Sequence, residues 1–80
     1  MSSPTNVSPW PVKVTLSPAA NLSKINPRLS SVAEYSITGT SGSCAVVDFG
    51  GAVLGVPTTD TTTPATVESD VAAWVTANKS

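Results

Sequence analysis

Few side chains in this sequence could act on a substrate. Cys44 is the one thiol, and no histidine occurs among the 80 residues. A nucleophilic cysteine needs a neighbouring base and an electropositive setting that favours the thiolate. No Lys or Arg lies near Cys44 in sequence, so it reads as an inert strand cysteine. Carboxylates do acid–base work when they share a site. Glu34 and Asp48 fall on the outer face of an expected hairpin, and Glu68 and Asp70 point different ways on an expected helix. All four read as solvated surface charges. Gly39-Thr40-Ser41-Gly42-Ser43 has the glycines of an anion loop but lacks the Gly-Lys-Ser/Thr ending and strand–helix setting of a phosphate loop. It reads as a hairpin turn. One cysteine with scattered carboxylates makes no zinc site, so neither metal nor cofactor is expected. The chain reads as non-enzymatic.

The elements that would carry these residues centre on residues 31–56, where β-branched and aromatic residues are punctuated by small-residue turns. The expected fold is mainly β: a small antiparallel sheet or sandwich with an extended Pro-rich N-terminal arm and one short C-terminal α-helix. Residues 1–11 form the arm, 12–57 the β-rich core, 58–63 a Thr-rich linker and 64–78 the helix. In the arm, Pro9 and Pro11 flank Trp10. Proline fixes φ and biases the residue before it to extended geometry, so the indole is held on a stiff run. Trp10 serves either as an interface anchor or as part of this chain's own core.

Val12, Val14 and Leu16 alternate with Lys13 and Thr15, the pattern of a half-buried strand. Ser17-Pro18 reads as a helix start. Residues 19–25 then make either a turn or two of helix, ended by Asn26-Pro27, or part of an irregular loop. A strand over 31–38 should turn Ala33, Tyr35 and Ile37 to the core and Val32, Glu34, Ser36 and Thr38 outward. A turn over 39–43 leads to a strand over 44–49. Gly50-Gly51 makes either a two-residue hairpin turn or a bulge in one long strand. The last strand, 52–56, ends at Pro57. Residues 58–63 have nothing to bury. Thr63-Pro64 repeats the helix-start pattern, and Val67, Val71, Trp74 and Val75 form an apolar stripe. Glu68 and Asp70 in the early turns and Lys79 past the end suit the helix dipole.

Size and charge limit the partners. A domain this short has a marginal core and gains from disulfides, metals or oligomerisation; a single cysteine leaves oligomerisation. Net charge is −1 with four cations, too few for a phosphate-binding face, so nucleic acid is excluded. No run approaches the roughly 20 apolar residues of a membrane span. The N-terminus has neither the basic nor the apolar region of a secretory signal. Charged residues are 11% of the chain, against about 25% in globular domains. Ser and Thr replace them on the surface, which suits contacts insensitive to salt.

A leaderless Met start, a Ser/Thr/Pro-rich arm, a compact β centre, then a linker and the helix TPATVESDVAAWV together resemble small structural proteins of tailed-phage virions, the capsid decoration (cement) and head-fibre class. That resemblance implies a structural protein made in the host cytoplasm and located in the virion, where it stabilises a larger assembly. Its partners would be a major capsid protein and copies of itself. The residues expected to bind partners are Pro9, Trp10 and Pro11 of the arm and Val67, Val71 and Trp74 of the helix. The alternative is a small β recognition module of a tail or surface appendage, with Tyr35 or Trp10 stacking on a glycan or host protein.

Overall fold

A computed structural model describes residues 10–16 and 22–79 of the chain. Four strands, β1 (Val12–Thr15), β2 (Glu34–Ser41), β3 (Cys44–Asp48) and β4 (Val53–Pro57), form one antiparallel sheet in the order β1-β2-β3-β4. One helix, α1 (Pro64–Asn78), follows the sheet. The fold is the mainly β one expected, a single sheet with a C-terminal helix. The Pro-rich arm, apart from Trp10 and Pro11, lies outside the described residues, as does the Ser17-Pro18 helix start.

The period of two along each strand sorts the residues. Tyr35 and Ile37 of β2, Ala45 and Val47 of β3 and Val56 of β4 are buried on one face. The partners Val12↔Ile37, Val14↔Tyr35 and Val47↔Leu54 extend that face across the sheet. Val67, Val71 and Val75, spaced by four, bury the inner stripe of α1 in the same cluster. Phe49 is fully buried, its ring 5.8 Å from Tyr35 and 6.2 Å from Trp74 by centroids. That chain of rings ties sheet to helix, in the tilted contact range aromatic pairs favour.

The turns follow their glycines. Ser41 pairs with Cys44, leaving Gly42-Ser43 as a two-residue loop with Gly42 at φ +62°, the left-handed position that tight hairpins give to glycine. The turn is shorter than expected because β2 runs on to Ser41. It does so through a bulge: the register steps from Ile37↔Val47 to Gly39↔Val46, leaving Thr38 extra. The Thr38 hydroxyl donates to the Val46 carbonyl (3.2 Å) at that bulge. Gly50-Gly51 is a hairpin turn, since the Phe49 N–H donates to the Ala52 carbonyl across it (2.8 Å).

The structure corrects or sharpens several expectations. The strand begins at Glu34, so Val32 and Ala33 precede it and the alternation fails there: Val32 packs on the core and Ala33 is exposed. Asn26-Pro27 ends one turn, in which the Ile25 and Asn26 N–H groups donate to the Leu22 carbonyl (2.9 and 3.2 Å), and also starts another. The Asn26 side chain accepts from the Arg28 N–H (3.0 Å) and opens a 3-10 turn, Pro27–Leu29, that buries Leu29. Residues 58–63, the Thr-rich segment between sheet and helix, hydrogen-bond through hydroxyls and amides to the first hairpin and to α1. Thr63 is at the N-cap with extended backbone, but its side chain makes no capping bond. Glu68 and Asp70 lie in the early part of the helix, past its first turn.

Candidate interaction surface

The sheet has two edges, and they differ in chemistry. At β1 the Leu16 N–H donates to the Ala33 carbonyl (2.7 Å). Antiparallel pairs alternate between bonded and unbonded, so Val12 and Val14 bond inward to β2 while Lys13 and Thr15 turn their backbones out. Lys13 is ion-paired with Glu34 at 3.2 Å. An edge carrying a lysine is a guarded edge.

The other edge carries no charge. The Phe49–Ala52 bond and the Thr58 N–H to the Ser43 carbonyl (2.9 Å) set the phase. With Val47↔Leu54 and Ala45↔Val56 in register, Leu54 and Val56 bond to β3. Val53, Gly55 and Pro57 therefore present their backbones outward. All three are exposed, and Val53, at 61%, is the exposed large hydrophobic residue among those described. Pro57 has no N–H, which leaves two outward donors and a blunted end. Pairing Asp48↔Val53 and Val46↔Gly55 puts Val53 and Gly55 on the face away from α1.

Gly55 has no role in its own chain that needs glycine. Its φ is not positive, and a Cβ there would meet only the Cys44 Cβ at 3.6 Å and Sγ at 3.9 Å, ordinary contact. A glycine inside a strand without a local reason marks a place where another backbone comes close.

A groove of about 460 Å³ lies at the other end of the sheet, between the 3-10 turn and the Gly50-Gly51 hairpin. Arg28, Val32, Glu34 and Ala52 are among the residues that line it. No exposed aromatic ring lies along it for stacking. Tyr35, the stacking candidate for a glycan, is 3% exposed, and burial raises its pKa above the ordinary 10.0.

The expected partner-binding residues are scattered. Pro9 lies outside the described residues. Trp10 is half-buried and packs on this chain's own core, while Pro11 beside it is exposed. Val67 and Val71 are fully buried under the same sheet, so as folded they offer no side chain to a partner. Trp74 is half-buried against Phe49. Val53 and Gly55 were missed. The signal was present in Val53-Leu54-Gly55-Val56-Pro57, an uncharged strand that ends in a proline, as edge strands do.

The chemistry-capable residues are occupied or apart. Asp48 turns its carboxylate to the hairpin, accepting from the Gly50 N–H (2.9 Å) and the Gly51 N–H (3.1 Å). Glu34 faces Lys13, and Cys44 is a half-buried free thiol. Among the described residues no group of three acids or cysteines could hold a metal, and no helix is long and apolar enough to cross a membrane. Comparison of the chain with protein-family models, curated proteins and solved structures returns no match.

Proposed function

We propose that this protein is a non-enzymatic structural protein that docks on and stabilises a larger assembly, most specifically the shell of a tailed-phage virion. The observation that supports docking is the uncharged outer edge of β4, with Val53 exposed beside it. An open edge offers backbone donors and acceptors to a strand of another chain, and side chains along it add selectivity. Binding that uses hydrogen bonds and apolar contact, with little charge, keeps its strength as salt rises. Many weak contacts repeated on a symmetric shell add through avidity. The shell as the partner rests on the layout resemblance alone.

The experiment is co-sedimentation of the full chain with assembled shells of the phage that encodes it, at low and high salt. Saturable binding at a fixed ratio to the shell protein, little changed by salt, is the expected result. Absence of saturable binding overturns the proposal.

A further inference from the structure

We propose that the outer edge of β4 pairs with β4 of a second copy, antiparallel, about a two-fold axis at Leu54. This names one partner within the proposed docking function, and it is tested separately from binding to a shell. The outward groups of the edge are the N–H and carbonyl of Val53, the N–H and carbonyl of Gly55, and the carbonyl of Pro57. Two donors and two acceptors on Val53 and Gly55 are self-complementary, as an isologous interface requires.

Register decides whether they can all be used. With the axis at Leu54, Val53 of one copy faces Gly55 of the other and the two residues exchange both hydrogen bonds. The mirror pair does the same, so four bonds use every outward group of Val53 and Gly55. Moving the axis to Gly55 sets the Pro57 ring, which has no N–H, against the Val53 carbonyl of the second copy. Moving it to Val53 sets Gly55 opposite Gly51, whose N–H is already given to Asp48. The Leu54 register is the one that pairs every outward group of Val53 and Gly55; it leaves unused only the Pro57 carbonyl, which faces Gly51 of the second copy.

The side chains fit the same register. Leu54 meets Leu54 at a narrow unbonded pair on the face toward α1, covering a residue that this chain leaves half-buried. On the opposite face the exposed Val53 of each copy lies beside Gly55 of the other. That supplies the close approach Gly55 permits and its own fold does not use. The charged β1 edge, with Lys13 and Glu34, has no such complementarity. Six residues make a small interface, so the dimer is weak and concentration-dependent.

The first test is light scattering of the full chain over a concentration series. The mass is expected to rise toward twice the chain mass, equally at low and high salt. The second is register-specific crosslinking in a Cys44→Ser background under an oxidised thiol buffer. Cα atoms of a narrow antiparallel pair lie about 4.5 Å apart, within disulfide reach. Leu54→Cys should therefore crosslink, while Val53→Cys and Gly55→Cys, offset from their own copies, should not. Gly55→Pro removes an N–H that this chain does not use and should leave a monomer, whereas Gly55→Ala, which keeps the N–H but puts a Cβ where the second copy comes close, should weaken the dimer without abolishing it.

A chain that stays monomeric at its highest soluble concentration overturns the pairing, as does stronger crosslinking at 53 or 55 than at 54. Should a variant fail to fold by circular dichroism, the mass of the unmodified chain still decides. A monomer that saturates shells overturns the dimer and keeps the docking function. A dimer that ignores shells does the reverse.

Discussion

Asp70 reaches from the second turn of α1 back to Thr59, where its Oδ2 accepts from both the backbone N–H (2.8 Å) and the hydroxyl (2.9 Å). This double bond fixes the chain between sheet and helix at one point. A second point lies at the first hairpin, where Thr58 donates to the Ser43 carbonyl through its N–H (2.9 Å) and its hydroxyl (3.2 Å). The Thr61 hydroxyl adds a bond to the Gly42 carbonyl (3.3 Å). A polar segment with nothing to bury is thus held by hydrogen bonds to two elements distant in sequence.

Asp70→Ala is expected to lower stability by about 1–2 kcal/mol, the scale of bonds to a charged acceptor reduced for partial exposure. Asp70→Asn keeps one acceptor oxygen and should lose less. Urea unfolding followed by circular dichroism ranks the two, and equal stability of all three proteins would show that Thr59 is not held by this contact.

The Gly50-Gly51 turn depends on Asp48 and on backbone freedom. Gly50 has φ +80° and Gly51 φ +140°, regions that cost a side-chain-bearing residue about 1 kcal/mol or more. Gly50→Ala and Asp48→Ala should each shift the urea midpoint down. Open space surrounds a Cβ at Gly50, so its loss would report conformation and not collision.

Burial separates the aromatic residues by effect. Phe49→Ala removes the fully buried ring between Tyr35 and Trp74 and should cost about 3–5 kcal/mol. That is a large share of the stability of so small a domain, and loss of the cooperative transition is expected. Val71→Ala should cost about 2–3 kcal/mol. Trp10 is half-buried, so Trp10→Ala should destabilise less than Phe49→Ala. If Trp10 also serves the arm, shell binding will fall by more than the loss in stability explains. Parallel losses would assign Trp10 to the core alone.

Two groups give opposite pH responses. The Thr62 hydroxyl and N–H, with the Thr63 hydroxyl, hold the Asp60 carboxyl below its ordinary 3.8. A depressed pKa contributes stability above 3.8 that is lost as pH falls through the folded value. Thr62→Val should return the Asp60 pKa toward 3.8 in an NMR titration. Tyr35 is raised above 10.0 by burial, so the unfolded chain ionises first. Its contribution is complete below pH 10.0 and is lost as pH rises through the folded value. A Tyr35 absorbance titration in the folded chain that matched a free tyrosine would contradict its burial.

Much of the fold was legible because strand and helix periods are local. Tyr35 and Ile37, Val67 and Val71 declare their buried faces by spacing alone. Val32 and Ala33 escaped because that alternation means nothing until the strand begins, and the 3-10 turn at Pro27–Leu29 delays it. The candidate surface was less legible, because an exposed Val53 and a buried Val56 are alike as residues. Only the neighbouring strand distinguishes them.

By itself the sequence left the form of the glycine turns open, but it determined the order of strands and helix, the inner stripe of the helix and the scarcity of residues able to do chemistry. These depend on neighbours a few positions away. Tertiary structure decided which strands became edges, that α1 spends Val67 and Val71 on its own sheet, and that Asp70 secures Thr59. Those outcomes come from pairings between distant residues, where burial and hydrogen-bond satisfaction are settled for the whole chain at once. The charged edge at β1 and the uncharged edge at β4 exist only once β2 and β3 have taken the centre.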